Sequence, residues 1–280
     1  MARNPRAAGR LDLTSTIGLP LAVGLILLGQ ALEGGSARTL MQATAALIVL
    51  GGTAGSVLLS FSTGEVRRAL QAVPSVFVDP LEPSAKPISR IVAYAKKARR
   101  LGVLSIEEDV SREPDAFLRR ALNMAVDGTS RSELRHTLEV EMDSMAEYDE
   151  APARVFDAAG GYAPTIGILG AVIGLIQVMD NLADPSKLGH GIAVAFVATV
   201  YGVGIANLLL LPIGTKLRHR ALAAARRREL MLKGVLAMLD GLNPKVIEQL
   251  LTGYTAEEPA KQGAGMMFAR GALSNARRES

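Results

Sequence analysis

Four uninterrupted apolar stretches, each long enough to cross a bilayer, limit what this chain can fold into more than any other feature. A hydrocarbon core of about 30 Å needs about 20 apolar residues in a helix. The first stretch runs from Leu13 to Leu32 between Asp12 and Glu33, and the second from Thr39 to Gly64 between Arg38 and Glu65. The third lies between Asp157 and Asp180, and the fourth between His190 and Lys216. Backbone polar groups find no water inside lipid, so such stretches must close their own hydrogen bonds as helices. The fold class predicted is therefore all-α: a polytopic membrane protein with four transmembrane helices and a helical insert between spans two and three.

Lys and Arg near the span ends orient the chain. Arg3, Arg6 and Arg10 precede span one, Arg67 and Arg68 follow span two, and Lys216, Arg218, Arg220 and Arg226 to Arg228 follow span four. The two short connections hold only Arg38 and Lys187. Both termini and the central insert are expected on the cytoplasmic side of an inner membrane, with the short loops in the periplasm. The length of span one and its Glu33-Gly34-Gly35 exit read as a retained helix rather than a cleaved signal. The expected organisation is a cytoplasmic N-terminus (1–12), a first transmembrane hairpin (13–64), a cytoplasmic helical insert (65–157), a second hairpin (158–215), and a cytoplasmic C-terminal helix with a flexible tail (216–280).

Within the insert, Pro80, Pro83 and Pro87 mark a breaker-rich linker. Helical patterning follows over Pro87 to Leu104, Ile106 to Asp127, and Arg131 to Tyr148. The last helix continues to about Leu239, where Asp240-Gly241-Leu242-Asn243-Pro244 carries turn chemistry. Residues beyond Glu257 read as tail.

Composition closes several function classes. Cysteine is absent, so no disulfide, thiolate zinc site or cysteine nucleophile exists. Tryptophan is absent and only 4% of residues are aromatic, which argues against a base-stacking surface and a nucleic-acid partner. His136, His190 and His219 are scattered without metal-ligand spacing, and no catalytic constellation, cofactor site or metal site is expected. Gly202, Gly204 and Asn207 lie inside an apolar span with no preceding strand, so they are no dinucleotide fingerprint. Gly167, Gly170 and Gly174, with Gly51 and Gly55, stand at helix-packing spacing.

No span contains Asp, Glu or His between its bounding residues. A membrane proton path ordinarily shows such a group. If ions cross here, the titrating carboxylate comes from another polypeptide, and this chain supplies wall groups such as Thr199. Pro164 and Pro212 each remove a backbone donor and free a carbonyl. Taken alone they are as well explained as simple kinks or span-end prolines as by a functional role.

Specific strings then carry a resemblance. Ala98-Arg99-Arg100-Leu101-Gly102-Val103-Leu104-Ser105-Ile106-Glu107-Glu108 resembles the cytoplasmic signature of flagellar stator A subunits, the MotA/PomA type. So do Ala163-Pro164-Thr165-Ile166-Gly167-Ile168-Leu169-Gly170, Ala195-Phe196-Val197-Ala198-Thr199, and Asp240 to Pro244 followed by Val246-Ile247. Leu32-Glu33-Gly34-Gly35 and Leu50-Gly51-Gly52-Thr53 fit as well. The likeness covers nearly the whole chain apart from the first dozen residues and the tail.

This resemblance implies a homo-oligomeric ring of A subunits around a B-type partner, whose single transmembrane helix carries the ion-binding aspartate and whose periplasmic domain grips peptidoglycan. It implies that Arg99 and Glu107 meet charges on the rotor switch protein, although by themselves they read as a solvated helix face. It places Pro164, Ala171, Thr199 and Pro212 in the ion pathway and its conformational coupling. Ala171, where sodium-driven relatives carry a hydroxyl, and Ala198 beside Thr199 favour protons, because sodium wants several oxygen ligands. The related energisers of outer-membrane transport are expected to have three spans, and four spans disfavour them here. A non-conducting scaffold is a further alternative.

Overall fold

The computed structural model describes residues 10–79, 85–183 and 185–256. The expected tail beyond Glu257 and the prolines at 80 and 83 lie outside them. Among the described residues the chain is all-α apart from one two-residue antiparallel bridge, β1 (Arg10–Leu11) with β2 (Val78–Asp79), in which Arg10 faces Asp79 and Leu11 faces Val78. Contacts divide it into two compact units, Met1–Leu81 with Asp143–Ala225, and Glu82–Met142 with Arg226–Ser280.

In the first unit, α1 (Leu13–Leu32) begins where expected because Asp12 caps it, accepting from the Ser15 amide and the Thr14 hydroxyl. None of its residues is buried, so its leucines face lipid or another chain. Span two is shorter than Thr39 to Gly64 and comes in three continuous pieces: α2 (Ala43–Ala46), a π turn (Leu47–Gly51) and α3 (Gly52–Ser60). It stops at Phe61, whose backbone is extended. Ser62 and Glu65 then form a reciprocal capping box that starts α4 (Thr63–Phe77), satisfying donors that a new helix leaves open.

In the second unit, α5 (Ala85–Leu101) includes Pro87 in its first turn, where a proline costs no hydrogen bond. It ends three residues before Leu104 because Gly102 adopts φ +87° and donates its amide to the Ala98 carbonyl. A 3-10 turn (Val103–Ile106) leads into α6 (Glu107–Ser111), and α7 (Ala116–Val126) follows. The single helix expected over Ile106 to Asp127 is thus broken. Pro114 disfavours helix in the residue before it, and Asp115 caps α7 by accepting from the Phe117 and Leu118 amides at 3.1 Å each.

α8 (Arg131–Asp180) unites the predicted 131–148 helix and span three in one 50-residue element with Pro152 and Pro164 inside it. Span four is α9 (Pro185–Ile205), a π turn (Ala206–Leu210) and α10 (Leu211–Leu239). At its end Gly241 has φ +70°, the Leu242 amide donates to Ala237 and the Gly241 amide to Met238. This is the paired-bond glycine stop that the Asp240 to Pro244 string predicts. α11 (Pro244–Ala256) packs on α5.

The second unit has an ordinary water-soluble core. Ile91, Leu118, Leu122, Leu134, Leu138 and Ile247 are fully buried, each worth about 1.5–3 kcal/mol of transfer free energy. Gly234 lets α10 pass so close to α5 and α11 that a Cβ there would lie 2.9 Å from Ile91 and 3.1 Å from Leu251. Among the described residues one charged side chain lies inside: Glu113 is 1% exposed. It accepts from the Tyr94 hydroxyl at 2.9 Å and the Asp115 amide at 3.0 Å, and pairs with Arg90 at 3.2 Å. Burial, then the bond to Glu113, pushes the Tyr94 phenol well up from its ordinary range. Removing one partner from such a buried charge network costs about 3–5 kcal/mol.

Candidate functional site

The second hairpin is built on small residues. A Cβ added to Gly167 on α8 would lie 2.9 Å from the Ala198 carbonyl oxygen and 3.1 Å from the Gly202 Cα. One on Gly174 would lie 2.8 Å from both the Ala195 nitrogen and the Gly191 oxygen, and one on Gly202 would lie 2.5 Å from the Ala163 oxygen. The α8 and α9 backbones therefore touch along a seam of Ala163, Gly167, Gly170 and Gly174 against Gly202, Ala198, Ala195 and Gly191. Lipid tails are as apolar as leucine, so contact area rather than burial from water holds such helices together. The sequence expectation for Gly167, Gly170 and Gly174 holds, while nothing lies within 4 Å of a Cβ on Gly51 or Gly55.

Pro164 sits half-buried on this seam, its Cα 3.2 Å from a Cβ on Gly202. It withholds the amide that would bond the Gly160 carbonyl. Gly160 in turn packs on Leu211, whose Cδ2 would lie 2.5 Å from a Gly160 Cβ. Leu211 immediately precedes Pro212, which is exposed. Proline in a helix clashes with the carbonyl four residues back, here Leu208, and the π turn at Ala206–Leu210 widens the helix at that point. The Gly160–Leu211 contact thus joins the residue whose carbonyl Pro164 leaves free to the residue just before Pro212.

Thr199 and Ala171 are both half-buried. The Thr199 hydroxyl donates back to the Ala195 carbonyl at 3.3 Å. Ala198 is different. It is fully buried, its Cβ 2.8 Å from a Cβ on Gly170, and it clusters with Ala45, Val49 and Val197. A hydroxyl there would meet the packed faces of neighbouring helices.

At the periplasmic end expected for span two, the Gln42 amide donates to the Tyr201 hydroxyl at 3.3 Å, and that hydroxyl donates to the Leu40 carbonyl at 2.5 Å. At the opposite end Lys216 pairs with Asp12, and Arg218 with Asp157. The Lys216 ammonium, then the Thr14 hydroxyl, hold the Asp12 carboxyl far below the usual carboxylate range. Pro212, Lys216, Thr14, Ser15, Leu19 and Phe77 help line a cleft of about 280 Å³ beside this pair. In the sequence, Asp12, Asp157 and Lys216 served as span boundaries and Lys216 and Arg218 as orientation signals, and none was paired with another. Opposite charges at one membrane depth were the available signal.

Arg99 and Glu107 are both exposed, on either side of the Gly102 turn. They do not pair with each other, and among the described residues no ion pair engages either. The turn is instead tied by Lys97 and Asp109, 2.7 Å apart. Among the described residues no cluster of His, Asp and Glu could hold a metal ion.

Among the described residues, four helices long and apolar enough to cross a membrane, two of them locked backbone to backbone, define a polytopic helical membrane protein. Residues 109–230 match the MotA/TolQ/ExbB proton channel family. That stretch takes in Pro164, Ala171, Thr199 and Pro212, and begins after Arg99 and Glu107. Motility protein A of Bacillus subtilis (strain 168) is 37% identical over 252 residues, covering 90% of this chain and 92% of the relative. Chemotaxis protein PomA of Vibrio alginolyticus is 32% identical, covering 88% and 96%. The flagellar MotAB stator complex of Bacillus subtilis superposes with TM-score 0.79 at 37% identity, covering 89% of this chain and 97% of that one. The MotAB structure of C. jejuni gives 0.83 at 28% identity, covering 91% and 100%. The chain belongs to the motility protein A family of MotA/TolQ/ExbB proton channel proteins.

Proposed function

We propose that this chain is the A-type subunit of a flagellar stator, which with a B-type partner conducts protons and delivers their free energy to a rotor as torque. The observation that carries the reading is a hairpin locked by backbone contact, with prolines on both its helices and no acid of its own between Asp157 and Asp180 or between His190 and Lys216. A rigid wall without a titrating group calls for a carboxylate supplied by another chain. The solved relatives are MotAB complexes, which supports such a B-type partner, with one transmembrane helix and a peptidoglycan-binding domain.

In this reading several copies of the chain surround the partner's helices. Thr199 and Ala171 border the ion path, and Pro164 and Pro212 couple carboxylate protonation to movement of the hairpin. Arg99 and Glu107 face the rotor switch protein from the cytoplasm, where both termini also lie. Ala171 supports protons over sodium. The ring-forming energisers of envelope transport share the family description, but four spans and motility protein A relatives favour the stator. Proton flux into vesicles holding this chain with a B-type subunit tests the proposal. Flux should appear with both chains and vanish when the partner's membrane aspartate is replaced by asparagine. Equal flux without the partner would refute it.

A further inference from the structure

The cleft beside the Asp12–Lys216 pair exists because α1 carries small residues where it approaches span four. Gly18 and Ala22 both line it and stand four residues apart, on one face of the helix. A Cβ added to Gly18 would meet nothing within 4 Å. The facing wall is the π turn of span four, which α1 touches, followed by Pro212 and Ile213 of α10. None of the residues of α1 is buried, so the trough of about 280 Å³ opens on the helix surface.

Its two ends differ in chemistry. Ser15 and Lys216 lie at the mouth, whereas Ala22 and Leu209 line it about 10 Å further along their helices. Asp12 accepts from Lys216, yet of this pair only the ammonium lines the trough. An ammonium has three donors and the Ser15 hydroxyl adds another. Deeper in, Asn207 turns its amide back onto the Val203 carbonyl at 2.9 Å. The mouth therefore suits an anion and the depth a hydrocarbon. A soluble anion would leave the depth unfilled, and an alkyl chain alone would leave the ammonium facing it. Arg3, Arg6 and Arg10 precede α1 in the sequence, and basic residues beside a span attract anionic lipid.

We propose that this trough binds one anionic phospholipid, its phosphate on Lys216 and Ser15 and one acyl chain lying between Gly18 and Leu209. The lipid fills the space that the small residues of α1 leave open and so completes the packing of α1 on span four. The inference needs only that the chain spans a bilayer, and it stands apart from the stator reading.

The test uses the full chain in the assembly in which it leaves the membrane, offered equal amounts of phosphatidylglycerol and phosphatidylcholine with matched acyl chains. Native mass spectrometry should show about a fivefold preference for phosphatidylglycerol, the effect of one lysine beside an anionic headgroup. Asp12→Asn/Lys216→Gln removes both charges and keeps both side chains able to hydrogen-bond, and should bring the two lipids to near parity. Gly18→Leu, which fills open space, should remove one retained lipid per chain. An unchanged preference in the first variant, or an unchanged lipid count in the second, would overturn the proposal. In the parent, phosphatidylglycerol with a diazirine on its acyl chain should label peptides containing Leu19, Ala22 or Leu209, and labelling confined to other segments would refute it. The chain has no cysteine, so Ala22→Cys provides a unique thiol. A disulfide between copies would assign the trough to a contact between chains, and modification by a charged, water-soluble thiol reagent would assign it to water; either result refutes the lipid site.

Discussion

Gly202 on α9 stands so close to Gly167 on α8 that a Cβ on Gly202 would lie 3.0 Å from the Gly167 Cα. Two transmembrane backbones in contact at this point leave no room for a side chain. In the function proposed above, the seam is one stiff wall of the ion path.

Gly167→Val or Gly202→Val should each destabilise the hairpin by about 1–3 kcal/mol or more, the usual result of forcing atoms into a filled core. Gly51→Val, facing open space, should cost far less. Thermal unfolding of the detergent-solubilised protein checks this, and equal losses at all three positions would contradict the seam.

The Asp12–Lys216 pair should contribute about 1 kcal/mol at neutral pH. Asp12 titrates below its unfolded value, so the contribution is fully present above the unfolded carboxylate range and fades as pH falls through the folded value. Asp12→Asn should therefore lower the unfolding temperature at pH 7. Its deficit relative to the parent should begin to shrink below about pH 4. A deficit that grows on acidification would have the wrong sign.

Neutralising Arg99 or Glu107 should lower torque without affecting membrane insertion, and reversal should do more harm than neutralisation. Exposed pairs are individually worth about 0–1 kcal/mol, a useful size for contacts that form and break at each step. Reversing the facing rotor charge should partly rescue Arg99→Glu, since touching residues are energetically coupled. Strictly additive defects across several pairs in tethered-cell assays would argue against direct contact.

Reporter enzymes fused after Arg68 or Ser280 should report cytoplasm, and one placed near Asp184 periplasm, because basic residues flank the cytoplasmic ends of spans. A periplasmic signal at Ser280 would remove the four-span topology.

How much of this was legible in the sequence varies with the physics involved. The bounds of α1 and the stop after Leu239 are local events, announced by Asp12 and Glu33 and by Gly241, and they read correctly. The break before α7 was missed because helical spacing of apolar residues continues through it, while Pro114 and Asp115 supply the interruption. Which glutamate would be buried was not readable either: Glu113 resembles Glu107 and Glu108 until the fold surrounds it with Tyr94 and Arg90. Ala198 adjoins Thr199 in sequence, yet one helical step turns it into the seam against Gly170. The Asp12–Lys216 pair joins residues 204 apart in sequence, and only the folded chain brings them together.

The central claim, that proton flow through this chain and its partner turns a rotor, is tested most directly by the rotation speed of tethered cells whose only A-type subunit is this chain. The proton-motive force is stepped down with a protonophore while sodium is held near zero. Each charge crossing supplies about 2.3 kcal/mol per 100 mV, so speed at high load should fall in step with the force and recover when sodium-free medium without protonophore is restored. Rotation that persists after the proton gradient has collapsed, or that requires sodium, would contradict it.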